Sequence, residues 1–256
     1  MLHDKIAIVT GAGSGLGEAI STLFAKNGAT VVLADVDVEG AERVLRQIEQ
    51  AGGKGRVMRT DVSKPEDAKA LVDATVKEYA RLDIAVNNAG IGGPTAPVGE
   101  YPIEGWDRII GINLSGVFYG MRYQIPAMLE KGGGAIVNMA SIAGKIGLAN
   151  GGGYAAAKHG VVGLTETAAV EYGARGIRVN AVGPGFINTP LLGKRSVLDS
   201  DNADAGAEIR ALAALHPMNR LGEASEVAEL VLFLASDRAS FVTGAYYNVD
   251  GGYLAQ

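Results

Sequence analysis

Lys5-Ile6-Ala7-Ile8-Val9-Thr10-Gly11-Ala12-Gly13-Ser14-Gly15-Leu16-Gly17 is the stretch whose reading decides the fold. An apolar run of strand length breaks into a turn with glycine at every second position. Glu18 to Lys26 then reads as a helix, and Asn27-Gly28 ends it as C-cap residues do. Thr30-Val31-Val32-Leu33-Ala34 follows as a second strand and stops at Asp35. A strand, glycine turn, helix, strand and acid within about 30 residues is the signature of a dinucleotide-binding unit. Glycines let the chain turn sharply and let a pyrophosphate approach the amides at a helix N-terminus. Asp35 can accept hydrogen bonds from a ribose diol and would repel a 2′-phosphate. The spacing departs from G-x-G-x-x-G, because Leu16 stands where the third glycine would fall. A P-loop is excluded, since no Gly-Lys-Ser/Thr follows.

Working outward, the alternation continues to the end of the chain. Val38 to Gln50 reads as a helix, Arg56 to Thr60 as a strand ending at Asp61-Val62, and Ser63 as the N-cap of a helix reaching Arg81. Asp83 to Val86 is a strand ending in Asn87-Asn88-Ala89-Gly90, and Gly105 to Lys131 a helix with Asn113 in its middle. Ala135 to Met139 is a strand that delivers Ser141, and a long small-residue helix carries Tyr154 and runs to Arg175. Arg178 to Val182, ending in Gly183-Pro184-Gly185, Ser225 to Ala235, and Ala245 to Val249 complete the pattern as strand, helix and strand. This predicts an α/β fold: a three-layer, Rossmann-like, doubly wound parallel sheet of about seven strands with helices on both faces. No linker or break in composition divides the chain, so residues 1–256 read as one domain. The aperiodic stretch at about 190–218, bracketed by Pro190 and Pro217, reads as a lid over the substrate.

Ligands of such sheets bind beyond the carboxyl ends of the strands. Gly11 to Gly17, Asp35, Asp61, Asn88, Ser141 and Pro184 all fall there. Of nine tyrosines, only Tyr154 has a lysine, Lys158, four residues later. That spacing puts both on one helix face. An ammonium beside a phenol favours the phenolate, which makes Tyr154 a candidate general acid/base and Ser141 a hydrogen-bond donor to the oxygen it protonates.

Composition narrows the class. The net charge of -5 gives no basic face for nucleic acid or an anionic membrane. No run is long enough to span a bilayer and no leader pattern opens the chain, so a cytoplasmic protein is expected. The absence of cysteine excludes disulfides and thiolate nucleophiles. His3, His159 and His216 are scattered without ligand spacing, so no metal site is expected.

At this point the chain resembles the short-chain dehydrogenase/reductase family in its compact single-domain form, over nearly its whole length. The matching motifs are Thr10-Gly11-x-x-x-Gly15-x-Gly17, Asp61, Asn87-Asn88-Ala89-Gly90, Asn113, Ser141, Tyr154-x-x-x-Lys158 and Pro184-Gly185. The resemblance implies a catalytic set of Asn113, Ser141, Tyr154 and Lys158. Asn113 would kink its helix around a water that passes protons from Lys158, and Lys158 would also bond the nicotinamide ribose. It implies cofactor contacts from Gly11, Ser14, Gly15, Leu16, Gly17, Asp35, Asp61, Val62, Asn88, Ala89, Gly90, Tyr154, Lys158, Pro184, Gly185, Ile187 and Thr189. Ser14 and Asp35 stand where users of NADP commonly carry basic residues, so NAD is expected over NADP.

The expected pocket walls, Ile142 to Asn150, Gly92 to Thr95 and Gly185 to Leu192, are mostly small or apolar. Ala143, Ile146, Leu148, Phe186 and Leu191 suit a small apolar, possibly cyclic, secondary alcohol or ketone, and Lys145 and Asn150 read as a solvated rim. Two alternatives stay open. A 3-oxoacyl-thioester reductase would use Arg108, Arg122 and Lys131 to dock an acidic carrier, and a regulator would bind NAD without turnover. The apolar helix from Ala155 to Val170 needs cover on more than one side. A homotetramer or dimer, with the C-terminal Asp250 to Gln256 also near a partner chain, is therefore expected.

Overall fold

The structure, a computed structural model, describes residues 1–192 and 205–256. Its strands are β1 (Ile6–Thr10), β2 (Thr30–Asp35), β3 (Lys54–Arg59), β4 (Ile84–Asn87), β5 (Gly134–Met139), β6 (Ile177–Pro184), the short β7 (Ile187–Asn188) and β8 (Gly222–Glu223), and β9 (Tyr246–Val249). Its helices are α1 (Gly15–Lys26), α2 (Val38–Gln50), α3 (Pro65–Tyr79), α4 (Ile103–Ile110), α5 (Gly116–Leu129), α6 (Gly152–Tyr172), α7 (Pro190–Leu192), α8 (Ala205–Ala214) and α9 (Ala224–Ala235). The main sheet runs β3-β2-β1-β4-β5-β6-β9, and every pairing in it is parallel. β7 and β8 form a separate two-stranded ladder. The strand order reverses between β1 and β4, which opens a crevice at their carboxyl ends.

All five residues of β1 are buried, because both faces of the sheet are covered. Ala7 and Val9 point to one face and pack with Ile20 and Phe24 of α1, Val44 and Ile48 of α2, and Val231 of α9. Ile8 points to the other and meets Leu71 and Val72 of α3, Val117 and Met121 of α5, and Val161 of α6. Each large side chain so buried contributes roughly 1.5–3 kcal/mol. This two-sided burial is why the central strands β1, β2, β4 and β5 read as apolar runs rather than as alternating ones.

Two local expectations are corrected. Ser63 is not the N-cap of α3: Lys64 holds that position and makes no side-chain cap bond. Ser63 instead donates both its N–H (3.1 Å) and its hydroxyl (2.6 Å) to Asp61 Oδ1. A charge-assisted bond to a carboxylate two residues away outcompetes the neutral cap. The helix expected from Gly105 to Lys131 begins at Ile103 and is interrupted by a π turn, Gly111–Ser115, with Asn113 at its centre. Of the expected lid, α7 and α8 are seen, and residues 193–204 lie outside the described residues.

Candidate active site

A cavity of about 740 Å3 lies over the carboxyl ends of the central strands. At one end are Gly11, Ser14, Gly15, Leu16, Asp35, Asp61 and Val62, and Asn88, Ala89 and Gly90 form its floor. At the other end are Ser141, Tyr154, Lys158, Pro184, Gly185 and Ile187, while Thr189 lies beside Gly15, where a Cβ would come within 3.4 Å of it. Two of the expected site residues, Gly17 and Asn113, do not line it. The sequence also missed several that do, among them Thr60, Ile91, Ile112 and Met139.

The first end is built from backbone. Gly11 has φ +66, in the left-handed region, and a side chain there would meet Ala89 Cα and Asn88 Nδ2 at 2.9 Å. Gly17 is buried, and a Cβ on it would lie 1.9 Å from the Gly11 carbonyl oxygen. Its role is to let the first turn of α1 sit directly on the glycine turn, so it shapes the cradle without touching its contents. Asp35 stands at the rim with both oxygens engaged: Gly13 N–H donates to Oδ2 (2.8 Å) and Asp37 N–H to Oδ1 (2.9 Å). Each carboxylate oxygen keeps further acceptor capacity. The Asp61 carboxyl is held below its usual range, chiefly by the Ser63 hydroxyl. Thr10 links the turn to the floor, since its hydroxyl oxygen accepts the N–H groups of Asn88 (3.0 Å) and Ala89 (3.1 Å).

The second end is built from side chains. Lys158 on α6 is buried and donates from Nζ to the Met139 carbonyl oxygen at the end of β5 (2.7 Å). Burial lowers its pKa from 10.5 to about 8. Its Nζ lies 5.6 Å from the centroid of the Tyr154 ring. Ser141 follows β5 in extended backbone, and its Oγ accepts the Ala143 N–H (3.2 Å). An amide on the Oγ lone pair leaves the hydroxyl proton free to be donated into the cavity.

Asn113 is fully buried and supports this end from behind. Its Oδ1 accepts the Ile91 N–H (2.9 Å) and its Nδ2 donates to the Ile91 carbonyl oxygen (2.9 Å). It thereby ties the π turn to the loop after β4. Of the expected walls, Ala143, Ile146, Leu148, Phe186 and Leu191 line the cavity. Gly92 to Thr95, Lys145 and Asn150 do not. The loop after β4 presents Asn88 to Ile91 to the cavity and then runs to a bridge between Ala96 and Gly151. Asp107 and Arg108 of α4 line it as well.

The cradle, with a helix N-terminus, positions that a Cβ would fill and an acid at the end of β2, fits a nicotinamide dinucleotide. No helix among the described residues is long and apolar enough to cross a membrane. A family model described as enoyl-(acyl carrier protein) reductase matches residues 11–254. Cyclohexanol dehydrogenase of Acinetobacter sp. (strain SE19) is 48% identical over 254 residues, covering 99% of this chain and 96% of that protein. Cis-4-hydroxycyclohexanecarboxylate dehydrogenase of Sinomonas cyclohexanicum is 47% identical over 253 residues, covering 98% and 97%. The crystal structure of levodione reductase superposes with a TM-score of 0.95 at 40% identity, covering 100% of this chain and 99% of that one. The chain belongs to the short-chain dehydrogenase/reductase family, oxidoreductases that act on CH–OH groups with a nicotinamide cofactor.

Proposed function

We propose that this protein is a NAD-dependent dehydrogenase of small, mainly apolar cyclic secondary alcohols and of the corresponding ketones. The observation that carries the reading is the meeting of Ser141, Tyr154 and Lys158 in one cavity whose nearby walls are Ala143, Ile146, Leu148, Phe186 and Leu191. The names of two relatives, which act on cyclohexanol and on a hydroxycyclohexanecarboxylate, support the substrate class.

In alcohol oxidation Tyr154 takes the substrate hydroxyl proton on its phenolic oxygen, and in ketone reduction it returns that proton. Ser141 donates its hydroxyl proton to the same substrate oxygen and steadies the charge that develops there. Lys158 spends one N–H on Met139 and keeps its others for a ribose hydroxyl and for the electrostatics of Tyr154. Asn113 and its π turn hold the route by which Lys158 exchanges protons with solvent. The cofactor supplies or accepts the hydride when bound. Gly11, Ser14, Gly15 and Leu16 hold its pyrophosphate, Asp61, Val62, Asn88, Ala89 and Gly90 its adenosine half, and Pro184, Gly185, Ile187 and Thr189 its nicotinamide half. Asp35 accepts the adenosine ribose diol and selects NAD over NADP.

We place this activity in one cytoplasmic domain, residues 1–256, closed by a lid at about 190–218. The chain assembles as a homotetramer or dimer through α5 and α6, where Phe118 is 47% and Val170 86% exposed. Gel filtration at the monomer mass would overturn the assembly. Nicotinamide absorbance tests the function, with NAD or NADP, cyclohexanols, linear secondary alcohols and 3-oxoacyl thioesters. NAD-dependent turnover of the cyclic alcohols is expected. Preference for a thioester, or for NADP, would refute the reading.

A further inference from the structure

Ser141 is held from below by a residue far away in sequence. The phenol of Tyr246 on β9 donates to the Ser141 carbonyl oxygen at 2.7 Å, across 105 residues of chain. The same carbonyl accepts the Gly144 N–H at 2.8 Å, so both of its lone pairs are used. Space for the phenol is made on β6, where a Cβ on Gly183 would lie 1.9 Å from the Tyr246 hydroxyl. Lys145 Nζ covers the ring face, 5.0 Å from its centroid. Burial, with Asp250 and Tyr154 adding to it, pushes the Tyr246 pKa up. This second phenol therefore stays protonated, and remains a donor, at any pH where Tyr154 works. Tyr246 does not line the cavity. Its hydroxyl is aimed at the backbone of Ser141.

We propose that Tyr246 is a positioning residue: its O–H, bonded to the Ser141 carbonyl, fixes the backbone that presents the Ser141 hydroxyl to the substrate oxygen. The inference rests on the dehydrogenase reading above. A serine that polarises a carbonyl acts only when its proton points at the oxygen, and small displacements of such a group are costly in rate. The adjacent amide from Ala143 sets the rotation of the hydroxyl, and the two donors on the carbonyl set the peptide that carries it.

The test is a double-mutant cycle of Tyr246→Phe and Ser141→Ala, read as kcat at saturating nucleotide and alcohol, with nucleotide affinity followed by fluorescence titration. Tyr246→Phe alone is expected to lower kcat about tenfold, with nucleotide affinity and the nucleotide KM unchanged. In the Ser141→Ala background the same change is expected to alter kcat by less than about twofold, since nothing remains to be positioned. A Tyr246 that merely stabilises the sheet would act by the same factor in both backgrounds, and that outcome overturns the proposal. So does a Tyr246→Phe enzyme within twofold of wild type. A wild type that turns over no secondary alcohol sinks the dehydrogenase reading and this inference together, whereas an active wild type with multiplicative effects sinks this inference alone.

Discussion

The two ends of the cavity are made by different means. The end near β1 and β2 is mainly a backbone surface: glycine turn, helix start and the carboxylates of Asp35 and Asp61, with Gly13 and Asp35 joined across 22 residues. The end near β5 and α6 is a cluster of side chains, of which Lys158 and Ser141 are bonded to groups from other elements. Lys158 is set by Met139 across 19 residues, and Ser141 by Tyr246 across 105. A backbone site tolerates no added atoms but demands little of its side chains. A side-chain site loses its chemistry with a single functional group or with the contact that orients it. The two ends should therefore fail differently when mutated.

The largest difference is expected at Tyr154. On the proposed mechanism Tyr154→Phe removes the group that moves the substrate proton, and general acid/base catalysis is worth about 10²–10⁴-fold. We expect kcat to fall by about a thousandfold while NAD binding, followed by fluorescence, changes less than about twofold. A variant retaining a tenth of the activity would remove the reason for calling this end catalytic. Gly17→Ala probes the other end. Its Cβ would strike the Gly11 carbonyl, so α1 must lift from the turn. Overpacking of this kind costs about 1–3 kcal/mol, or roughly 2–12 °C in Tm for a chain of this size. NAD affinity should fall at least about tenfold, with kcat at saturating NAD nearly kept. A loss of kcat without loss of affinity would show that the ends are not separable.

Selectivity sharpens the comparison by a smaller amount. Asp35→Ala combined with Val36→Arg removes the acceptor and the repulsion and supplies a cation. The lost charge-assisted bonds are worth about 1.5–3 kcal/mol, so the KM for NAD should rise about 10- to 100-fold and NADP should become usable. The kcat should stay within about threefold. A wild type that already used NADP equally well would show that Asp35 does not select.

Sequence reading followed the same divide. The glycine turn, Asp35 and the Tyr154–Lys158 spacing are local, so they were legible without the fold. The sheet was legible because its central strands β1, β2, β4 and β5 are buried on both faces and read as apolar runs. What was missed depends on contacts between distant segments. Tyr246 and Tyr247 are adjacent on β9, and a strand sends neighbours to opposite faces. Tyr246 packs with the α5–α6 side and Tyr247 with the α1–α9 side. Only the register that pairs Ala181 with Tyr246 tells which of them reaches Ser141, and nothing in the local sequence states it. Ser63 was misread for a related reason: its cap pattern was visible, but the competing Asp61 carboxylate that accepts its hydroxyl hydrogen bond was not weighed.

The smallest expected effect concerns what the side-chain end costs the fold. Lys158 titrates near pH 8 in the folded chain, against 10.5 for a free lysine, because its ammonium is buried. Below pH 8 both folded and unfolded chains carry the proton, and the folded state bears the full penalty of the buried charge. Between pH 8 and 10.5 the unfolded chain holds the proton and the folded one has released it, so stability rises with pH across that window. Lys158→Met keeps most of the volume and removes the charge, though it leaves the Met139 carbonyl without its donor. Melted without nucleotide, the variant should be a few degrees more stable than wild type at pH 7. The gap should narrow through pH 8 to 10.5, while activity is lost at every pH. Groups that titrate alike in both proteins cancel in the difference, so the window belongs to Lys158. A gap that stayed constant with pH would mean that burial does not shift Lys158, and a variant less stable at pH 7 would mean that the bond to Met139 outweighs the burial of the charge. In that case the catalytic lysine would be supporting the fold rather than straining it.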